Sequence, residues 1–326
     1  MRTAHRTIAT AALAVAAAGS TAAAAPARAA PYRAPEAVPA LAAPALTVRY
    51  AAVERNIRTA LEAAERADDG DRRAALAAFL SPGRRFLAFD ARGNGRVVEV
   101  IGDLARADRV AVVVPGADGR LTNFDSWKGA GGGARALYRQ ARVSAPSARL
   151  AVVAWLGYDS PSTRSTAVLT DGRADDAGRE LVRFLTGLRH VNGRARVALL
   201  CHSYGSVVCA KAAPGLGRRR LPVDEIALYG SPGVNAGTAG ALRTGARVWA
   251  GRSDGDWTRF VPKVRVAGIG FAHDPAAPSF GALRFDAGRG PHSAYLRPGS
   301  VSLRNLTRIA LGHHSEVTIA RHSRTP

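Results

Sequence analysis

The stretch from Val197 to Cys209 constrains the fold more than any other part of the chain. An apolar run of strand length leads into Cys201-His202-Ser203-Tyr204-Gly205, and the residues that follow are typical of a helix. This pattern indicates a nucleophile elbow, the tight turn that lifts a serine above the carboxyl edge of a parallel sheet. The usual form is Gly-x-Ser-x-Gly, and Cys201 replaces its first glycine. A small side chain is compatible with that strained turn. The competing interpretation is a plain buried turn.

Strands and helices alternate along most of the chain. Continuous apolar runs predict strands that are buried on both faces, and amphipathic stretches predict helices between them. The predicted strands cover residues 110–114, 150–155, 196–200, 226–229, 247–250 and 282–285. Helices are predicted over residues 134–142, 175–190 and in a last segment ended by Gly312, whereas Gly131-Gly132-Gly133 is interpreted as a flexible loop. Such alternation indicates a mostly parallel sheet.

The N-terminal part predicts a different kind of pairing. Gly93-Asn94-Gly95 lies between two strand-like segments, residues 86–90 and 96–100, which is a strong signal for a β-hairpin. Antiparallel strands ahead of the first βαβ unit suit the start of an α/β-hydrolase. We therefore predict an α/β-hydrolase fold, with a mostly parallel central sheet, flanking helices, and antiparallel strands at the N-terminal edge.

The ends of the chain predict export and a single folded domain. Residues 1–29 combine a basic start, a short apolar core and an Ala-x-Ala site at Ala27-Arg28-Ala29, which is typical of a signal peptide. Residues 30–46 are rich in alanine and proline and predict an irregular leader. Residues 47–312 form the predicted hydrolase domain, and 313–326 a polar tail. We expect a secreted, extracellular protein with no transmembrane segment in the mature chain.

A serine nucleophile needs a histidine base and a carboxylate that orients it. In this fold the order along the chain is serine, acid, histidine, each on a loop after a strand. Ser203 is the predicted nucleophile. The acid should follow the strand at 247–250, where Asp256 is preferred and Asp254 remains the alternative. Either aspartate could instead cap a loop.

His292 is the preferred base, because it follows the predicted strand at 282–285. His273 remains the alternative. His202 lies within the elbow and is interpreted as structural, and His190 precedes the serine in the chain. The histidines after the last helix are assigned to the solvated tail.

An oxyanion hole requires two N–H donors near the nucleophile. The first predicted donor is the backbone of Tyr204, which follows the serine. The second should come from the loop after the strand that ends at Val114, and therefore from Ala117 or, as the alternative, Asp118.

The only two cysteines flank the nucleophile. Cys201 ends the predicted strand and Cys209 lies about two turns into the predicted helix. Because export permits oxidation, we predict a disulfide between them. The alternative is two buried thiols that fill tight contacts.

The charge balance bears on partners. The chain has 46 basic and 25 acidic residues, for a formal net charge of +21. GC-rich coding explains an arginine excess, and attraction to anionic surfaces is the functional interpretation. No nucleic-acid partner is expected, because the basic run Arg218-Arg219-Arg220 has no interleaved aromatic residues. The cysteine and histidine spacing predicts no zinc site, and no phosphate-binding loop is found, so no cofactor is expected.

Several motifs resemble an actinobacterial α/β-hydrolase family of largely unknown function. They cover about residues 48–311 and are His202-Ser203-Tyr204-Gly205-Ser206, Gly230-Ser231-Pro232-Gly233, His292-Ser293-Ala294-Tyr295, Ser302-Leu303-Arg304-Asn305-Leu306, Phe86-Leu87-Ala88-Phe89-Asp90, Asp274-Pro275, Phe280-Gly281-Ala282 and Val114-Pro115-Gly116. The resemblance implies an α/β-hydrolase fold and a triad of Ser203, Asp256 and His292. It implies no substrate, and Cys201 departs from the usual glycine.

These observations predict a serine hydrolase that cleaves carboxylic esters through an acyl-enzyme. An amidase or peptidase would use the same triad and is the first alternative. The second is a non-catalytic binding protein of the cell surface on a hydrolase scaffold, because a fold alone does not define a function.

Overall fold

The computed structural model describes residues 32–320. The predicted signal peptide lies outside the described residues, as do the last six residues of the predicted tail. Within the described part of the chain, no helix is both long and apolar enough to cross a membrane.

Eight strands form one sheet in the order β1-β2-β4-β3-β5-β6-β7-β8. The strands are β1 Arg85–Asp90, β2 Arg96–Ile101, β3 Arg109–Val114, β4 Leu150–Leu156, β5 Arg196–His202, β6 Val223–Tyr229, β7 Arg247–Gly251 and β8 Leu283–Arg284. The first two strands pair antiparallel with each other, and β2 pairs antiparallel with β4. All other pairs are parallel. The predicted fold class is therefore confirmed.

The central strands are apolar on both faces because helices cover both sides of the sheet. On β3, for example, Val112 faces one apolar layer and Val113 the other. The helices are α1 Leu46–Arg66, α2 Gly70–Phe79, α3 Ala130–Ser144, α4 Gly172–Val191, α5 Tyr204–Arg218 and α6 Val301–Leu311. Helices α4 and α5 pack on one face, and the buried sides of α2, α3 and α6 pack on the other.

The three consecutive glycines predicted to form a flexible loop lie instead in the first turns of α3. That prediction is wrong for a steric reason. A Cβ on Gly131 would lie 2.5 Å from the ring of Phe124, and one on Gly132 would lie 2.1 Å from the carbonyl oxygen of Ser126. Glycine is required because the helix start packs directly against the preceding loop.

The segment that follows α6 packs against the domain up to residue 320 and is not a solvated tail there. Val317 is buried, Ile319 pairs with Phe285 beside β8, and His314 Nε2 lies 2.7 Å from the buried carboxylate of Glu225. The predicted polar tail is thus wrong for this part, because the buried Val317 side chain and the backbone pairing of Ile319 give it a packed position.

The parallel strands end at a common edge. Val114 pairs with Cys201, His202 pairs with Tyr229, and Tyr229 pairs with Gly251. The loops after β3, β5, β6 and β7 consequently open on the same side of the sheet. This is where open α/β sheets hold their ligands.

Candidate active site

Ser203 lies in the turn between β5 and α5 with φ +52° and ψ −125°. A non-glycine residue in this region is strained, at a cost of about 1–3 kcal/mol. The Ser203 N–H donates to the Tyr229 carbonyl at 2.9 Å, which helps to hold the turn. A Cβ on Gly205 would lie 2.6 Å from the carbonyl oxygens of Val114 and Pro115. Only glycine allows α5 to start this close to the end of β3.

The predicted disulfide is present in the structure. Cys201 and Cys209 are both fully buried, their Cα atoms are 6.4 Å apart, and their sulfur atoms are 2.04 Å apart. The bond ties the end of β5 to α5 across the strained turn. Cysteine therefore takes the usual glycine position and adds a covalent link there.

Ser203, His292 and Asp256 form a continuous line of hydrogen bonds. The Oγ of Ser203 is 2.9 Å from Nε2 of His292, and Nδ1 of His292 is 2.9 Å from Oδ1 of Asp256. Because a carboxylate only accepts, Nδ1 carries the proton and Nε2 is left to accept from the serine hydroxyl. The structure thus brings together the three preferred residues.

Asp256 is fully buried at the start of a short 3-10 turn, Trp257–Phe260. Burial raises its pKa, but hydrogen bonds from His292 and Tyr295 and from the backbone of Thr258 outweigh burial, so the pKa of Asp256 lies well below its usual range. The Thr258 hydroxyl also donates, at 2.8 Å, and the Tyr295 hydroxyl donates at 2.5 Å. The acid is therefore held ionised beside the histidine.

Sequence reasoning gave no role to Thr258 and Tyr295. The signal for Thr258 was its position two residues after an aspartate, where the aspartate caps a turn. Tyr295 was quoted as part of a motif, but nothing in the motif indicated its contact with Asp256. Its hydroxyl also accepts from the Ser253 N–H at 3.0 Å, and burial followed by the charge of Asp256 raises the pKa of Tyr295.

The alternative residues lie elsewhere. Asp254 and His273 are both exposed, and within residues 32–320 neither side chain forms a hydrogen bond to Ser203, Asp256 or His292. His273 pairs through its backbone with Val234. The backbone carbonyl oxygen of Asp254 accepts a hydrogen bond from the Arg259 side chain.

Tyr204 and Ala117, whose backbone N–H groups are the predicted oxyanion donors, both line the cavity beside Ser203. Tyr204 is the first residue of α5, where N–H groups have no partner within the helix. Asp118, the alternative to Ala117, donates its N–H to the Pro161 carbonyl at 2.9 Å. That donor is occupied, which favours Ala117.

Two buried hydroxyls hold the peptide group between Gly116 and Ala117. The Ser160 hydroxyl donates to the Gly116 carbonyl oxygen at 2.8 Å. The Tyr158 hydroxyl lies between the carbonyl oxygens of Pro115 and Gly116, at 2.8 and 2.9 Å. In a trans peptide the N–H points opposite to the C=O. Fixing the carbonyl therefore fixes the direction of the Ala117 N–H. Gly116 lies against the nucleophile, since a Cβ there would be 2.7 Å from Ser203 Cβ.

A family model described as alpha/beta hydrolase matches residues 90–266. The chain belongs to the alpha/beta-hydrolase family. It is 31% identical over 256 residues to an uncharacterized protein of Mycobacterium tuberculosis, across 68% of this chain and 38% of the relative. An uncharacterized protein of Mycobacterium bovis is 34% identical over 170 residues, across 49% of this chain and 62% of the relative. The chain thus spans less than two thirds of either relative, and the expected actinobacterial family of unknown function is confirmed.

Solved structures similar to this alpha/beta hydrolase include two esterases. The esterase LipW from Mycobacterium marinum is 17% identical with a TM-score of 0.43, covering 80% of this chain and 89% of that one. An esterase from Rhizomucor miehei is 10% identical with a TM-score of 0.45, covering 72% of this chain and 83% of that one.

A cavity of about 480 Å³ opens beside Ser203 in this alpha/beta hydrolase. Its lining is mostly apolar and includes Phe124, Leu156, Val168, Leu169, Trp257 and Phe271. Ala117, Ser203, Tyr204 and His292 also line it, so the predicted nucleophile, base and oxyanion-donor residues border the same space. In residues 32–320, no group of three or more histidine, cysteine, aspartate or glutamate side chains could hold a metal ion.

Proposed function

We propose that this alpha/beta hydrolase is a secreted serine hydrolase that cleaves carboxylic esters through an acyl-enzyme on Ser203. The observation that carries the proposal is the hydrogen-bonded line from Ser203 Oγ through His292 to the buried Asp256. A serine hydroxyl is a weak nucleophile, and a histidine in this position activates it by accepting its proton. The ionised Asp256 stabilises the imidazolium that forms.

The proposed reaction has two halves. Ser203 Oγ attacks the ester carbonyl carbon while His292 Nε2 takes the hydroxyl proton, and the resulting oxyanion accepts hydrogen bonds from the N–H groups of Tyr204 and Ala117. The intermediate then expels the alcohol, which takes the proton from His292. In the second half, water attacks the acyl-enzyme, His292 accepts the proton of that water, and the proton returns to Ser203 as the carboxylic acid leaves.

The apolar lining of the cavity is evidence for an ester substrate with an apolar acyl group. Apolar surface buried on binding contributes about 25 cal/mol per Å², so a lining of this kind favours hydrocarbon over charged substituents. Small esters fit the same space. An amide substrate would use the same residues. Its leaving group is an amine, and His292 must protonate the amine nitrogen before it can leave.

Secretion is part of the proposal. The N-terminal sequence has the composition of a signal peptide, and the disulfide between Cys201 and Cys209 is of the kind that persists in oxidising compartments. Expression in an actinobacterial host, followed by N-terminal sequencing of the protein from the medium, tests this. We expect a mature N-terminus at Ala30. Retention of the uncleaved chain in the cytoplasm would contradict it.

The catalytic assignment is tested with a fluorophosphonate probe and a panel of nitrophenyl esters and anilides. We expect labelling at one residue, Ser203, and faster turnover of esters than of anilides. Ser203→Ala should abolish labelling and lower kcat by about 10⁴-fold or more. Ser144 is an exposed serine at the end of α3, and Ser144→Ala is the control. This variant should keep both the labelling and the kcat of the parent. Stoichiometric labelling of Ser203→Ala would refute the assignment. Efficient anilide cleavage would favour an amidase, and no labelling with no turnover would favour a binding protein.

A further inference from the structure

Exposed hydrophobic side chains are concentrated at one place on the surface. Among residues 32–320, eleven large hydrophobic side chains are exposed, and five of them lie in the segment 257–270. They are Trp257, Phe260, Val264, Val266 and Ile269. A sixth, Leu169, accepts a hydrogen bond from the Gly270 N–H at 2.8 Å. We call the segment 257–270 together with Leu169 the apolar rim.

The apolar rim borders the cavity, because Leu169, Trp257, Val261, Pro262 and Gly270 all line it. Trp257 and Leu169 line the cavity and are about half exposed, at 52% and 48%. The Trp257 ring also lies 4.8 Å from the His292 ring, measured between centroids. Trp257 therefore links the exposed side of the rim to the proposed base beside Ser203. Exposed hydrophobic side chains that are grouped beside a cavity are typical of an interaction site.

The charges of the rim have one sign. The segment 257–270 contains Arg259, Lys263 and Arg265 and no acidic residue. Arg265 pairs with Asp171, whereas the Arg259 side chain is exposed and lies over the Phe260 ring at 5.6 Å. Interleaved aromatic, aliphatic and basic side chains are typical of protein segments that lie in the boundary between water and lipid.

One lysine fixes the rim to the domain. Lys263 Nζ donates to the Pro232 carbonyl at 2.9 Å and to the Thr258 carbonyl at 3.0 Å. Pro232 belongs to the loop after β6, and Thr258 donates to Asp256. The rim is thus anchored beside the candidate active site while its apolar side chains point outward.

We propose that the apolar rim docks the protein on an anionic lipid surface, from which acyl chains of ester lipids enter the cavity. The proposal rests on the proposed function for its substrate, but the docking itself does not require turnover. Apolar side chains would be removed from water at the acyl boundary, and the exposed Arg259 guanidinium would lie at the level of negative headgroups. A protein partner seated on the same patch would cover the entrance to Ser203, which disfavours that occupant.

Vesicle binding tests the proposal. Ser203→Ala protein, which cannot consume lipid, is mixed with vesicles of phosphatidylglycerol or of phosphatidylcholine and sedimented. We expect binding to phosphatidylglycerol that is at least tenfold tighter than to phosphatidylcholine. Phe260→Ser with Val266→Ser should weaken it at least tenfold. Val143→Ser, on α3, replaces a side chain as exposed as Phe260, at 78% against 79%, and serves as the matched control.

The outcomes separate docking from chemistry. Neither Phe260 nor Val266 lines the cavity, so their replacement should leave kcat/KM for a soluble acetate ester unchanged. Equal vesicle binding by the rim variant and its parent, or an equal loss in Val143→Ser, would overturn the docking surface. Equal binding to both lipids would overturn its anionic preference. Self-association that depends on the same two residues would assign the rim to a second copy instead. Vesicle binding without ester turnover would leave docking intact and refute the proposed function.

Discussion

His202 Nε2 lies 2.9 Å from the main-chain oxygen of His292. A carbonyl oxygen only accepts, so His202 donates and its Nε2 carries the proton. The ring lies among those of Tyr229, His292 and Tyr295, with centroid distances of 5.2, 4.7 and 5.5 Å. Burial, reinforced by the nearby His292, lowers the pKa of His202 to about 3. His202 is thus uncharged. It holds the backbone of His292 and adds no positive charge that would oppose protonation of the His292 ring.

The first prediction concerns acid stability. An unfolded histidine has a pKa near 6.5, so between about pH 6.5 and pH 3 the unfolded chain binds a proton at residue 202 that the folded chain does not. The free energy of unfolding should therefore fall as the pH decreases through this window. His202→Gln keeps a donor for the His292 carbonyl and removes the titration. It should reduce the pH dependence by about 1.4 kcal/mol per pH unit.

Urea unfolding at pH 4.5 to 6.5 measures this effect. The lower limit avoids the loss of the stability that Asp256 contributes, because its lowered pKa makes that stability disappear only as the pH falls below about 4. His190→Gln, an exposed histidine at the end of α4, is the control. An unchanged slope in His202→Gln would show that His202 is charged in the folded protein.

The second prediction concerns Tyr158 and Ser160 as positioning residues. Both are buried, at 2% exposure each. Ser160 donates to the Gly116 carbonyl, and the Tyr158 hydroxyl lies between the carbonyl oxygens of Pro115 and Gly116. Tyr158→Phe with Ser160→Ala should let the Ala117 N–H turn away from the oxyanion. Loss of one such donor costs about 10²–10³-fold in kcat. We expect a loss of that order with little change in KM.

A trifluoromethyl ketone, whose adduct with serine carries an oxyanion, separates positioning from packing. Its inhibition constant should rise in parallel with the loss of kcat/KM in the double variant. Tyr138→Phe, a partly buried tyrosine on α3, is the control. If KM rises while ketone affinity is retained, Tyr158 and Ser160 merely pack the loop.

The third prediction separates the preferred acid and base from their alternatives. His292→Ala should lower kcat by about 10⁴-fold, and Asp256→Asn by a similar factor because the histidine tautomer is no longer fixed. His273→Ala and Asp254→Asn should retain nearly full activity, since both residues are exposed. Circular dichroism of all four variants checks that they fold. An inactive His273→Ala beside an active His292→Ala would contradict the assignment.

Much of the fold was predictable because it follows from local patterns. The apolar runs predicted the central strands to within a few residues, and the small residues around Ser203 predicted the elbow. The roles of Tyr158 and Ser160 were not predictable. They lie 42 and 44 residues from Gly116 in sequence, within a loop whose composition indicates no contact. The Gly131-Gly132-Gly133 run was misassigned because glycine has a low helix propensity, which close packing overrides here.

The fourth prediction concerns acyl chain length. Each methylene buried in the cavity contributes about 0.8 kcal/mol, which corresponds to about fourfold in kcat/KM. Nitrophenyl esters from acetate upward should therefore show a rise until the cavity is filled, and a plateau or decline beyond. Val168→Phe narrows the lining and should shift the optimum to shorter chains. A steady decline from acetate would contradict an acyl-binding role.

The fifth prediction concerns the disulfide. Closing so short a loop stabilises the folded state by about 2.5 kcal/mol in the chain-entropy model. The Cys201→Ser, Cys209→Ser double variant should therefore unfold at a lower temperature, measured against the oxidised parent. The parent protein, reduced in the unfolded state and then refolded, should show the same lowered melting temperature as the double variant. Equal melting temperatures would mean that the bond adds no net stability.

The segment after α6 has a consequence for solubility. Beside β8, Ala320 donates its N–H to the Arg284 carbonyl at 2.9 Å, and Asp286 donates its N–H to the Thr318 carbonyl at 2.8 Å. These bonds occupy backbone groups that would otherwise be unpaired at the edge of the sheet. Unpaired edge strands can pair with strands of other molecules. A chain shortened to Gly312 should therefore keep its catalytic residues and yet form oligomers and precipitates through edge-to-edge strand pairing.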